Sequence, residues 1–441
     1  MNPQLHIVTL ANGLRVVICE KRGAPVVNVT VAYKVGSKDE SPDHTGLAHL
    51  FEHVMFDNIE DNGKGQFDLY LTDAGGASNA YTTYDFTLYY LSLPSSHLEL
   101  GLWLESQRLS EFRATPQALA TQIQVVTEEI KQNVFDQPYG DWRNHLAAHG
   151  FAADTMYSWE IYGSHEHVQK TDYATASAWY NEYYRPDNAC LILCGDIDTS
   201  DAMALVEKYI APIPARSGTP RRTPYDNSNR RTGSVTLTQP VPSNAVMLGY
   251  HADGMCSDRI PTYDILTSIL SEGRSSRLYS ALQYEQQIAS YVGAFMDKRE
   301  YSSIFTVMCF AMDNSIPCGK MDTALRNEVQ RIVTEGITED ELEKAKAKVK
   351  TSLALELQTT DGVADALAQL TLFFNDPNRI ATHIQKYNSV TTDHVNTLAR
   401  ELFAQEPVQI HIVAENHDEP HDETIADNNA ANSGTSSFIL E

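Results

Sequence analysis

The stretch Gly46-Leu47-Ala48-His49-Leu50-Phe51-Glu52-His53-Val54-Met55-Phe56 carries the reading of this chain. Its apolar residues predict a helix that is largely buried. Residues four apart lie one above the other on a helical face, so His49 and His53 can turn their imidazoles toward one cation. Glu52, three residues after His49, borders the same face. Two neutral imidazoles suit Zn²⁺, and a carboxylate held beside the metal can take a proton from a water molecule. The order His-x-x-Glu-His inverts that of the commoner His-Glu-x-x-His helix and is a catalytic signature in its own right. Buried histidines beside a buried carboxylate need partners, and a metal supplies them.

Zinc held by three protein ligands with one open position is the catalytic arrangement, so a downstream carboxylate is expected. A helix predicted over 116–134, with Pro116 in its first turn, carries Glu128 and Glu129. Adjacent residues point about 100° apart on a helix, so only one of the two can face the metal. Glu105, on a helix predicted over 98–112, is a further candidate. Composition alone does not choose among them.

A chain of 441 residues is too long for one ordinary core, and two or more domains are expected. The net charge is −25, and seven acids without any Lys or Arg fall in the tail from Glu415 to Glu441. Such a surface disfavours nucleic acid and suits neutral or basic partners such as peptides. No apolar run is long enough to predict a membrane span. The first residues have neither a basic n-region nor an apolar core, so no secretory signal is expected and the cytoplasm is the predicted location, with the periplasm as the alternative for a trimmed N-terminus. The six cysteines sit mainly in strand-like runs such as Leu191-Ile192-Leu193-Cys194 and read as buried thiols.

Asn12-Gly13 between two alternating runs is a hairpin signal. Strands are also predicted over 26–35, 79–84, 87–93 and 189–194, and a helix over 67–74. Pro212 to Pro220 is the kind of Pro-rich stretch that links domains. After it the pattern restarts, with strands over 234–238, 245–250, 301–311 and 408–413 and a helix over 260–271. Thr338-Glu339-Asp340-Glu341-Leu342 opens a helix as Thr115-Pro116-Gln117-Ala118-Leu119 does. The order points to a diverged duplication of one α+β unit of roughly 200 residues. The expected division is a zinc-bearing domain over 1–215, a linker over 216–225, a homologous domain without metal ligands over 226–414, and a disordered acidic tail over 415–441.

With these residues in place, the chain resembles the pitrilysin/insulinase family of zinc peptidases, which includes small bacterial members and processing-peptidase subunits. The resemblance runs through Asn12-Gly13-Leu14, Gly46 to His53, Gly75-Gly76-Ala77-Ser78-Asn79-Ala80-Tyr81-Thr82, Val125 to Ile130, Tyr184 to Ala189 and Gly273 to Tyr279. It implies that His49, His53 and Glu129 are the metal ligands, Glu129 lying 76 positions after His53, and that Glu52 is the general base. It implies that Asn79 and Ala80 belong to an edge strand that pairs with the substrate backbone. The implied fold is α+β: two homologous domains, each an antiparallel-dominated sheet with helices packed on one face.

Two departures stand out. The family usually has another Glu seven residues before the ligand Glu, where this chain has Gln122; an amide there can hydrogen-bond a ligand histidine but brings no charge. The family also uses an Arg and a Tyr, seven apart, from the domain facing the metal. Those places align with Gln283 and Ser290, with Tyr291 one residue away. The second half has no ligand set, and the place matching Glu129 is near Thr351-Ser352. The expectation is therefore a metal-bearing subunit of a zinc metalloendopeptidase acting on unfolded peptides. A homologous partner chain, in a heterodimer, would supply the Arg/Tyr pair, with a homodimer as second choice. The alternative is a non-catalytic peptide-binding or structural subunit that keeps its zinc site.

Overall fold

The computed structural model describes residues 4–59 and 65–415. Past Glu415 the expected tail lies outside the described residues. The strands of the first half are β1 (Leu5–Thr9), β2 (Arg15–Glu20), β3 (Val26–Tyr33), β4 (Ala77–Thr82), β5 (Thr87–Pro94) and β6 (Ala189–Gly195). Those of the second are β7 (Ser234–Gln239), β8 (Ala245–Asp253), β9 (Ala289–Asp297), β10 (Ser302–Ala311) and β11 (Val408–Ala414). Helices α1 (Leu47–Val54), α2 (Gln66–Asp73), α3 (Leu98–Ser110), α4 (Pro116–Ile130), α5 (Trp142–Gly150), α6 (His165–Lys170), α7 (Tyr173–Tyr183) and α8 (Thr199–Tyr209) belong to the first half. The second half carries α9 (Ile260–Ser271), α10 (Cys318–Glu335), α11 (Glu339–Glu356), α12 (Thr360–Phe374) and α13 (Thr392–Phe403).

The strand orders are β1-β2-β6-β3-β5-β4 and β7-β11-β8-β10-β9. Without β1, the two sheets have the same order. Each has a single parallel neighbour pair at the same place, β2 with β6 and β7 with β11, and is otherwise antiparallel. The fold is therefore the expected α+β pair of homologous, antiparallel-dominated sheets, and the repeated topology is what a duplication produces.

Local chemistry explains several elements. The β1–β2 turn is made at Asn12-Gly13, where Gly13 has φ 91° and the Asn12 side chain accepts from Leu14 N–H at 3.1 Å. Asn12 also donates to the carbonyls of Ile210 and Ile213, tying the hairpin to the end of α8. Thr115 caps α4 by accepting from Ala118 N–H, ahead of Pro116 in the first turn. Thr338 and Glu341 form a capping box on α11. The Pro-rich connection is pinned to the first half: Arg185 donates to the carbonyls of Arg216 and Gly218 at 2.9 and 2.6 Å.

One main core lies between one face of the first sheet (Val16, Ile18, Val29, Val31, Leu191, Leu193) and helices of its own half. The alternate residues of the same strands, among them Val17, Ala32, Cys190 and Ile192, face a different partner. They pack against Val363, Ala364, Leu367 and Ala368 of α12, which lies over β3 and β6 although it comes from the second half. The exchange is reciprocal. Helix α5 of the first half lies over β8 and β11, the topological equivalents of β3 and β6. There Leu146 packs with Met247, Ile410 and Ile412. Each half thus shields the reverse face of the other's sheet, an arrangement absent from the sequence reading.

Candidate metal and catalytic site

Helix α1 buries Leu47, Ala48, Leu50, Phe51 and Val54 and leaves the histidine face toward α4. The imidazoles of His49 and His53 stand 5.0 Å apart between ring centroids, at 80° to each other. Helix α4 brings the Glu129 carboxylate across both: Oε1 is 3.7 Å from His49 Nε2, and Oε2 is 3.1 Å from His53 Nε2. The donor atoms of His49, His53 and Glu129 all lie within 4.8 Å of one another. A tetrahedral ion with bonds of about 2.0–2.1 Å spaces neighbouring donors by roughly 3.4 Å, a value the two measured separations bracket. The residues present therefore fit a zinc ion: two nitrogens and one carboxylate, turned inward, with solvent access retained at His53 and Glu129.

The electrostatics agree. Burial pushes His49 down to about 4, against the pull of Glu129, so its ring is neutral and ready to donate a lone pair. The hydrogen bond from His53 holds Glu129 below the usual carboxylate range despite its partial burial. Burial raises Glu52, while a hydrogen bond from Thr82 acts against the rise. The Thr82 hydroxyl donates to Glu52 Oε2 at 2.7 Å. The Thr82 backbone N–H acts on the same carboxylate, so β4 orients a group suited to receive a proton from water.

The other carboxylates considered from sequence go elsewhere. Glu128 is exposed and accepts from Gln132 at 3.3 Å. Glu105 is fully buried but pairs with Arg108 at 2.6 Å. Gln122 donates its amide to Asp57 Oδ2 at 2.7 Å and not to a ligand histidine. His49 Nδ1 is buried without a hydrogen-bond partner among the described residues. Behind this imidazole the described residues therefore place no acceptor to fix the ring. The rings of Tyr162 and His49 meet edge to face, 4.7 Å between centroids at 81°.

Asn79 and Ala80 lie on β4, opposite Tyr90 and Tyr89 of β5. β4 is the last strand of its sheet, with its outer edge unpaired among the described residues. Asn79 is exposed and Ala80 is buried against the first core. In the second half, Gln283 and Ser290 meet: Gln283 Nε2 donates to the Ser290 carbonyl at 2.6 Å. Tyr291 is exposed beside them, its ring 5.8 Å from that of Phe310. Thr82, Tyr162 and Asp57 were not singled out from sequence. Thr82 ends the quoted stretch Gly75–Thr82, but only the β4 placement brings its hydroxyl to Glu52. Among the described residues no helix is long and apolar enough to cross a membrane.

Comparison with known proteins adds a family. The profile of insulinase (peptidase family M16) matches residues 15–157, and that of the peptidase M16 inactive domain matches residues 171–349. A Helicobacter pylori protein named zinc protease PqqE is 25% identical over 407 residues, covering 91% of this chain and 90% of that protein. A Bacillus subtilis protein, the uncharacterized zinc protease YmxG, is 23% identical over 398 residues, covering 90% and 95%. Among solved structures, a protease from Helicobacter pylori superposes with a TM-score of 0.88 at 24% identity, over 93% of this chain and all of that one. A peptidase M16 inactive domain from Pseudomonas fluorescens does so with a TM-score of 0.85 at 15% identity, over 95% and 99%. At these identities the superpositions speak for the fold.

Proposed function

Because this chain belongs to the pitrilysin/insulinase (M16) family, we propose that it is the metal-bearing subunit of a zinc endopeptidase that hydrolyses unfolded peptides. The observation that carries the reading is the convergence of His49, His53 and Glu129, with Glu52 held beside them by Thr82. The three converging side chains would hold the zinc ion, which when bound supplies Lewis-acid polarisation of a peptide carbonyl and of a water molecule. Glu52 then accepts a proton from the attacking water and passes it to the leaving amine. The free edge of β4, at Asn79 and Ala80, offers backbone donors and acceptors to an extended substrate, whose alternate side chains then face opposite sides of the sheet.

A second, homologous chain would close a chamber around the peptide. Gln283 donates to the Ser290 carbonyl and the Ser290 hydroxyl to the Ala311 carbonyl, so both donors are engaged within the chain and a partner would bring the donors for an oxyanion. A homodimer would lack them on both sides. The same pair, with Gln122 bonded to Asp57, favours the second reading: a peptide-binding subunit that keeps its metal without turnover.

The test replaces Glu52 by Gln in the zinc-loaded protein, assayed with an unfolded peptide in the presence of the homologous partner. Zinc is expected to stay at the wild-type level while cleavage falls by at least about 100-fold, the range typical of losing an acid–base group. Turnover retained in Glu52→Gln would remove Glu52 as the base. No cleavage by the wild-type pair at any zinc loading would favour the second reading.

A further inference from the structure

Helix α1 starts without a side-chain cap of its own, because its N-cap is Gly46, with φ 92°. The partner comes from Glu40, six residues upstream and buried. Its Oε2 accepts from Gly46 N–H at 2.9 Å and its Oε1 from Ala48 N–H at 2.8 Å. Trp159 Nε1 donates to Oε2 at 2.9 Å and reaches the Ser37 carbonyl at 3.1 Å. The two oxygens of Glu40 satisfy N–H groups that the helix leaves open. His49 follows Ala48 directly, so Glu40 fixes the turn of backbone from which that ring projects.

The segment that carries Glu40 is in turn gripped by the second half. Lys38, with only 3% of its side chain exposed, lies 3.5 Å from Asp39, 3.4 Å from Asp85 and 3.3 Å from Glu300. Glu300 sits between β9 and β10 of the second half and also pairs with Lys34 at 2.6 Å. Its backbone N–H donates to Asp85 at 2.9 Å. Arg222 adds bonds to Asp39 at 2.8 Å and to the Lys34 carbonyl at 2.6 Å. Three cations meet three carboxylates around residues 34–40, and Glu300 is the carboxylate contributed by the half without ligands.

We propose that Glu40 is a positioning residue for the metal ligands, and that the second half acts on it through the contact of Glu300 with Lys38. The half that lacks metal ligands thereby sets the metal affinity of the half that has them. A buried charge cluster confines each member to positions its partners can reach, and a backbone segment clamped in it has little freedom to drift. The inference rests on reading His49, His53 and Glu129 as ligands, and it is independent of whether the protein turns over peptides.

Zinc alone is the probe, with full-length protein and a chromophoric chelator as competitor. In Glu40→Gln one acceptor oxygen becomes an NH₂ group facing an N–H donor, and zinc binding is expected to weaken about 10–100-fold, the range for groups that support a metal ligand. Glu300→Gln is expected to weaken it about 3–10-fold. The control is Glu341→Gln, which breaks the paired bonds at 2.8 and 2.9 Å between Glu341 and Arg277 within the second half. It is expected to lower the unfolding temperature yet bind zinc within about twofold of wild type, which a general loss of stability would not allow. Should Glu40→Gln fail to fold, Trp159→Phe, which removes one donor to Glu40, replaces it with an expected weakening of about threefold. Wild-type affinity in the Glu40 and Glu300 variants overturns the inference, as does an equal loss in Glu341→Gln. A wild-type chain that takes up no zinc overturns the ligand reading itself, and this inference with it.

Discussion

The Thr82 hydroxyl donates to Oε2 of Glu52 at 2.7 Å, linking the edge strand β4 to the carboxylate between the two histidines. One carboxylate oxygen of Glu52, the proposed base, is thereby fixed. Thr82→Val keeps the shape and removes the donor. One hydrogen bond to a charged group is worth about 1.5 kcal/mol, or roughly tenfold in rate. Steady-state kinetics should show kcat down about tenfold with zinc content unchanged. An unaltered kcat would mean that Glu52 is aligned without Thr82.

Glu129 and its neighbour Glu128 provide an internal control for the metal site. Glu129 spans both imidazoles, whereas Glu128 is 57% exposed and bonded only along its own helix. Glu129→Gln should weaken zinc by more than the roughly 10–100-fold typical of a group behind a ligand. Glu128→Gln should bind as wild type in the same chelator competition. The reverse pattern would reassign the third donor.

The exchange of α5 and α12 makes a prediction about cooperativity. Leu367 of α12 is fully buried against the first sheet, although it belongs to the second half of the chain. Two halves that each cover the other's sheet should unfold together, in one calorimetric transition. Leu367→Ala should lower that transition by the amount typical of emptying a buried leucine site, about 2–5 kcal/mol. Two separate transitions, with only one moved by the substitution, would contradict mutual dependence of the halves.

These interfaces also mark how far the sequence could be read. His49, Glu52 and His53 are fixed by helical spacing, so their shared face is legible from five residues. Asn12-Gly13 and the restart after Pro220 are likewise local signals. Helix α12 is different: its apolar face announces burial but not the sheet that covers it, and nothing in 360–374 names β3 and β6. Thr82 meets Glu52 only because β4 packs beside α1. Asp57, the partner of Gln122, lies just past the end of α1, where spacing rules give no direction. The choice of Glu129 over Glu128 needed either the family resemblance or the rotation of α4 seen here.

His251 on β8 supplies a pH prediction away from the metal site. Its ring lies edge-on to Phe151, 5.2 Å between centroids, and Nε2 is 2.9 Å from the Arg231 carbonyl, while Nδ1 is buried without a partner among the described residues. Burial pushes His251 down to about 4; the Arg231 carbonyl opposes the fall, and Arg230 and Arg299 add to it. In the unfolded chain a histidine titrates near 6.5. The folded state therefore excludes a proton that the unfolded state accepts. The contribution to stability is complete above about pH 6.5 and is lost as the pH falls toward 4, amounting to roughly 1–2 kcal/mol at pH 5. His251→Gln removes the titration but leaves the rest of the protein to respond as before. Urea unfolding of both proteins at pH 7 and pH 5 isolates the effect, because every other group cancels in the difference. Wild type should lose about 1–2 kcal/mol relative to the variant between the two pH values, whatever their gap at pH 7. A constant gap would mean that His251 takes up its proton in the folded protein as readily as in the unfolded chain.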